Sequence, residues 1–136
     1  MNLLDSLKAM GVALLVMVLN VAAAFGVVWV YASFIAPGRD EAFYVAEAQR
    51  IAPWSSIFAG ALLFFVAMLL LAWRRPGRSG YAFAVAAVLV YAAIDLLIIA
   101  AEGMLGAMGV MVAGSMLSKL GAALLGAWLG RPRSAL

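Results

Sequence analysis

The sequence predicts an all-α integral membrane protein, folded as a bundle of four transmembrane helices. Of its 136 residues, 68% are hydrophobic and 11% are charged, whereas soluble domains have about 45–50% and about 25%. Four long apolar runs carry almost none of the charge, and short stretches with Arg, Pro or Gly separate them. This composition excludes a soluble domain, a disordered chain and a nucleic-acid-binding module.

The four predicted spans belong to a single domain over residues 1–136 and cover residues 9–36, 52–73, 81–101 and 105–129. About 20 apolar residues suffice to cross about 30 Å of hydrocarbon, and each run has that length. Lys8 and the small residues from Ala22 to Ala24 also fit a signal peptide. The apolar run continues well past Ala24, however, which favours an uncleaved first span.

Lys and Arg are distributed unevenly between the two sides of the predicted bundle. Six lie on the side of the termini, namely Lys8, Arg74, Arg75, Arg78, Arg131 and Arg133. On the other side lie Arg39 and Arg50, and Lys119 lies within the fourth span. The side richer in basic residues faces the cytoplasm. We therefore expect both termini to be cytoplasmic, and the abundance of Arg and Ala favours a bacterial inner membrane.

The external segment 37–51 contains a predicted amphipathic helix over residues 40–51. Asp40 is suited to cap its first turn. Its apolar residues recur at helical spacing: Phe43, Tyr44, Ala48 and Ile51. Because Pro53 is unfavourable inside a helix, we expect a break between this helix and the second span. The helix is interpreted either as a loop helix packed on the end of the bundle or as a lid or docking surface.

Small residues at i, i+4 spacing predict where helices pack closely, because lipid supplies no hydrophobic force between them and their backbones must approach. The positions are Gly114, Ser118, Ala122 and Gly126 in the fourth span, Ser56 and Gly60 in the second, and Gly26 in the first. We expect them to contact other helices of the chain. A ridge left unused would suit a homo-oligomer or a membrane protein partner, besides the lipid bilayer itself.

Polar residues inside the apolar spans are the candidate functional site. Asn20, Asp95 and Lys119 lie at similar depths, about 15–21 Å from the cytoplasmic side. Asp95 and Lys119 lean toward each other from antiparallel neighbouring spans, which predicts an ion pair with Asn20 as a hydrogen-bonding third member. Tyr91 and Glu102 share the face of Asp95, and Tyr91 is placed to hydrogen-bond its carboxylate or to line a path toward the outside. An alternative interpretation is that this cluster only fixes the register of the helices.

The residue types that most enzymes and metal sites require are absent. The chain has no Cys and no His, which excludes disulfides, thiolate sites and the usual haem ligand. Its eight Met residues are interpreted as soft packing residues rather than copper ligands. No nucleophile elbow, phosphate loop or zinc-protease motif occurs. We expect no catalytic activity, no metal and no cofactor.

Two functions remain open from the sequence. In length and span number the chain resembles small multidrug resistance transporters, a family that carries a proton-coupled Glu in its first span. The first span here offers only Asn20, so no site is carried over. We expect either a transport or channel element that uses the Asp/Lys/Asn cluster, or a non-catalytic accessory subunit that holds a partner through its small-residue ridges.

Overall fold

The computed structural model describes residues 1–74 and 80–131, which form four long helices without strands. They are α1 (Leu3–Val30), which continues into a π-helical turn (Tyr31–Ile35), α2 (Glu41–Arg74), α3 (Gly80–Ala101) and α4 (Leu105–Leu129). All four are long and apolar enough to span a membrane. The predicted all-α membrane bundle is therefore confirmed. Arg75, Arg78 and Arg133, on which the predicted orientation also rests, lie outside the described residues.

The helices follow one another around the bundle in the order α1, α2, α4, α3, so that the consecutive helices α2 and α3 lie diagonally. Helix α4 packs most extensively on α2 and runs parallel to it, because Lys119 lies beside Gly60 while Gly126 lies beside Phe65. Helices α3 and α4 are joined by the short turn 102–104. Gly103 has φ +70° there, in the left-handed region that favours glycine.

The expected break at Pro53 is wrong, because α2 runs without interruption from Glu41 to Arg74. Its start matches the expectation, since the Phe43 backbone N–H donates to the Asp40 carboxylate at 3.1 Å. Pro53 removes one N–H from the ladder, but the turns on either side remain hydrogen-bonded, and long membrane helices tolerate such a gap. The predicted external helix is therefore the first part of α2.

The hydrophobic core occupies only one half of the bundle. We call the half that contains the beginning of α1 and the end of α4 the terminal half, and the half with residues 21–59 and 92–111 the loop half. The apolar core residues lie in the terminal half: Ala9, Ala13, Val16, Phe64, Met68, Ala84, Ala87, Val88, Ala123 and Ala127. In the loop half no described residue is buried. The packed core thus ends close to the level of Asn20 and Tyr91.

The predicted small-residue contacts form at Gly126 and Gly60 but not at Gly26 and Gly114. A Cβ atom on Gly126 would collide with the Phe65 carbonyl oxygen, so the backbones of α2 and α4 touch there. A Cβ atom on Gly26 or Gly114 would meet nothing within 4 Å. Each i, i+4 step overshoots a turn by about 40°, so Gly114 lies about 120° around the helix from Gly126. Ser118 and Ala122, between them, are half-buried.

The Gly126 contact predicts that substitution of two glycines of α4, Gly126 and Gly114, has very different effects on stability. We expect Gly126→Leu to lower the free energy of unfolding by about 1–3 kcal/mol, because the new side chain must push the backbones of α2 and α4 apart. Gly114→Leu is the matched control and should change stability little. Thermal unfolding in detergent measures both, and equal effects of the two substitutions would contradict the α2–α4 contact.

Candidate functional site

The candidate site is a layer of five polar side chains at the boundary between the terminal and loop halves. We call it the polar layer; it consists of Asn20 from α1, Ser56 from α2, Tyr91 from α3, and Ser115 and Lys119 from α4. Lys119 is 0% exposed and Tyr91 2% exposed, while Asn20 and Ser115 are also buried. All four helices contribute, so the layer forms only when the whole bundle assembles.

Lys119 lies at the centre of the polar layer and is held by neutral groups. Its ammonium donates to the hydroxyl of Ser115, one turn earlier in α4, and to Ser56 Oγ at 3.1 Å. The ammonium nitrogen also lies 5.0 Å from the centre of the Tyr91 ring, a cation–π arrangement. The apolar stem passes directly over Gly60, where a Cβ atom would collide with Lys119 Cε. Gly60 therefore provides the space that the buried lysine occupies.

Asn20 connects α1 to the rest of the layer. Its side-chain Nδ2 donates to Ser56 Oγ at 3.0 Å and to Tyr91 Oη at 2.9 Å. Ser56 Oγ thus accepts from both Asn20 and Lys119, and links α1, α2 and α4. Asn20 Oδ1 is buried without a hydrogen-bond partner in the described part of the chain. The layer therefore retains one unused acceptor.

Tyr91 joins the polar layer to the apolar core. Its ring packs edge-on against Phe64, with ring centroids 5.4 Å apart and an interplanar angle of 76°. Its hydroxyl accepts from Asn20, so the hydrogen bond considered between Tyr91 and Asp95 is not what the structure shows. Tyr91 thus accepts a hydrogen bond in the polar layer through its hydroxyl oxygen and packs in the hydrophobic core through its ring.

The expected ion pair between Asp95 and Lys119 is not formed. No carboxylate oxygen of Asp95 lies within 4.0 Å of the Lys119 ammonium, and no hydrogen bond joins Asp95 to another described residue. Asp95 is half-buried, one turn beyond Tyr91 in the loop half. The reason that the pair is not formed is that α4 packs mainly on α2, so the lysine donates to Ser56 and to its own Ser115 instead of to Asp95.

Glu102 lies apart from the other candidates. It is exposed, in the turn that follows α3, and does not join the polar layer. Ser115 is a member of the layer that the sequence does not single out, although its i, i+4 spacing to Lys119 marks it as a neighbour on the same face. For Ser56 the sequence predicts only a packing position, because its role as a shared acceptor depends on contacts between three helices.

No protein-family model, curated protein or solved structure matches this chain. Fold and site together define it as a four-helix protein with membrane-spanning dimensions and a buried, lysine-centred polar layer. Within residues 1–74 and 80–131, no cluster of three or more Asp, Glu, His or Cys residues is placed to hold a metal ion. The chemistry of the site therefore rests on the hydroxyls, the amide and the charges described above.

Two adjacent serines test the polar layer. We expect Ser56→Ala to lower the free energy of unfolding by about 1–3 kcal/mol, because it leaves buried donors of Asn20 and Lys119 without their acceptor. Ser55→Ala is the matched control, since the Ser55 hydroxyl is buried without a hydrogen-bond partner among the described residues and its removal should be neutral or stabilising. Equilibrium unfolding in mixed micelles measures both; a Ser56→Ala variant as stable as Ser55→Ala would refute the network.

Proposed function

We propose that the protein is a small transport element of a bacterial inner membrane, in which an ion or small solute reaches the polar layer from the loop half. The observation that carries this proposal is the one-sided core. Every buried residue of the described chain lies in the terminal half, in the polar layer or, for Val112, directly next to the layer. The loop half thus leads to the layer without a packed core in between.

The separation of Asp95 from Lys119 supports the same proposal. A charge at mid-membrane depth is costly, and such residues typically mark ion, proton or substrate pathways. In this bundle the carboxylate and the ammonium do not contact each other. Lys119 is fully buried and held by Ser56 and Ser115, whereas Asp95 is half-buried. We therefore infer that Asp95 is the charged group that an ion, proton or polar solute from the loop half meets first.

The charge distribution supports an orientation with the loop half outside. Among the described residues, Lys8, Arg74 and Arg131 lie at the terminal end of the bundle, whereas Arg39 and Arg50 lie at the other end. The complete sequence strengthens this bias to six against two. By the positive-inside rule, we infer that both termini are cytoplasmic and that the loop half faces the outside.

Reporter fusions test this orientation. A reporter joined at Leu136 should be active in the cytoplasm, and a reporter inserted near Glu47 should be active only outside the cytoplasmic membrane, because the basic residues retain the terminal end inside. The Arg39→Gln and Arg50→Gln variants serve as controls that leave the terminal side unchanged. Cytoplasmic activity of the Glu47 reporter would reverse the proposed orientation.

Purified protein in liposomes tests transport directly. We expect a measurable flux of protons, inorganic ions or small organic ions, and we expect Asp95→Asn to abolish it, because this change keeps the size of the side chain and removes its charge. Lys119→Met should also abolish the flux while retaining most of the apolar stem. Glu102→Gln is the matched control, since Glu102 is exposed and outside the layer.

A second candidate function, that of an accessory subunit, is favoured by the open glycines of α4. Cβ atoms on Gly106, Gly109 and Gly114 would meet nothing within 4 Å, and Val110 between them is 92% exposed. Such a surface allows close approach of a helix from another protein. Absence of flux in the liposome experiment, together with a membrane protein that co-purifies in a fixed ratio and is lost in Gly109→Leu, would favour this function over transport.

A further inference from the structure

A groove on the loop half, between α1 and α2, is not used by the polar layer. It has a volume of about 510 Å³. Its lining includes Val27 of α1 and Arg50, Trp54, Ser55, Phe58 and Ala59 of α2. All of these except Arg50 and the Ser55 hydroxyl are apolar, and Phe58 and Trp54 are 70% and 56% exposed. The groove therefore presents an open apolar surface with a single cation.

The groove has the length of one leaflet of a bilayer. Arg50 and Ala59 are separated by nine residues of helix, which corresponds to about 14 Å. The hydrocarbon of one leaflet is about 15 Å thick. Arg50 lies at the end nearer to the loops, and its long side chain is able to extend toward the membrane surface while its stem stays in the apolar region.

Arg50 retains donors for an anionic group. Its guanidinium binds Glu47 through Nη2 at 2.6 Å, and the Arg50 side chain is 70% exposed. Glu47, whose side chain is only 18% exposed, thus holds the guanidinium in place through Nη2. Nη1 and Nε remain as single charged donors, each able to donate to a phosphate oxygen.

The position of the groove favours a lipid as its occupant. The groove lies on helices long and apolar enough to span a membrane, and its Phe58 and Trp54 side chains are largely exposed, so it faces the acyl chains of the surrounding leaflet. Its length along α2 is close to the depth of one leaflet, which suits an extended acyl chain. Arg50, at the end nearer to the loops, suits a phosphate.

We propose that the α1–α2 groove is a binding site for one phospholipid of the leaflet that surrounds the loop half. One acyl chain lies along Val27, Phe58 and Ala59, and the headgroup phosphate accepts hydrogen bonds from Arg50. This site is separate from the polar layer and does not depend on a transport function. It assigns a role to the Arg50–Glu47 pair, which orients the guanidinium toward the phosphate.

Native mass spectrometry of delipidated protein titrated with phosphatidylglycerol tests the headgroup contact. We expect Arg50→Gln to bind the lipid about tenfold more weakly than the unmodified protein, since it loses a charge-assisted contact. Arg39→Gln is the matched control, because the Arg39 guanidinium lies over the Phe43 ring, 5.3 Å from its centre, and not in the groove. Equal affinities of the two variants would overturn the proposal.

Two further ligands distinguish the contribution of the headgroup to binding from that of the acyl chain. Phosphatidylethanolamine should show the same loss in Arg50→Gln, whereas diacylglycerol, which has no phosphate, should bind weakly and equally to both proteins. Ala59→Trp should weaken both phospholipids because the indole fills the groove. Phosphatidylglycerol binding that Ala59→Trp leaves unchanged would overturn the assignment of the groove to a lipid chain. Dimerisation of the protein in competition with the lipid would also overturn it.

Fluorescence quenching locates the chain without altering Arg50. Trp29, Trp73 and Trp128 are more than half exposed and can be replaced by Phe, so that Trp54 is the sole tryptophan. A phospholipid brominated along its acyl chain should then quench Trp54 at low lipid concentration, because the chain occupies the groove beside it.

The matched control for quenching moves the fluorophore to a lipid-exposed position outside the groove. It replaces Trp54 by Phe as well and carries Leu62→Trp, since Leu62 is 63% exposed and does not line the groove. The new indole should need a higher concentration of the brominated lipid for the same quenching. Quenching of Trp54 no stronger than that of the indole at position 62 would overturn the proposal.

Discussion

Burial of the Lys119 ammonium is the constraint on which the rest of this structure depends. A cation at this depth is costly unless its donors find partners. The bundle satisfies them with neutral groups, namely the hydroxyls of Ser115 and Ser56 and the ring of Tyr91. Because these groups come from three helices, and Asn20 adds the fourth, a shift of any helix along its axis would break a hydrogen bond or the cation–π contact. The polar layer therefore sets the register of the bundle.

The same lysine is accommodated at the contact between α2 and α4. Its stem occupies the space over Gly60, and α4 packs more extensively on α2 than on α3. Further along the same interface, Gly126 lets the two backbones touch at Phe65. The two glycines thus act differently at the interface of α2 and α4. Gly60 leaves room for the Lys119 side chain, and Gly126 allows the two backbones to touch. Asp95 remains on α3 without an ion-pair partner in the described part of the chain because its expected partner, Lys119, binds serines instead.

The hydrophobic core fills the terminal half but not the loop half, and both proposed sites depend on this difference. In the terminal half, small and aromatic residues fill the interior; in the loop half, no described residue is buried. The loop half consequently contains both the half-buried Asp95 and the groove beside Arg50. The polar layer forms the boundary between these halves, so a solute entering from the loops would meet polar groups just where apolar packing begins.

The sequence by itself determined the four spans, the helix start at Asp40, the close packing at Gly126, and the common depth of Asn20 and Lys119. These features follow from hydropathy, helical rise and residue size, all of which are local. Only the tertiary structure decided that α2 continues through Pro53, that Gly114 faces outward, and that Lys119 binds serines instead of Asp95. Those outcomes depend on which helices become neighbours and on how each is rotated, and contacts between distant residues set both.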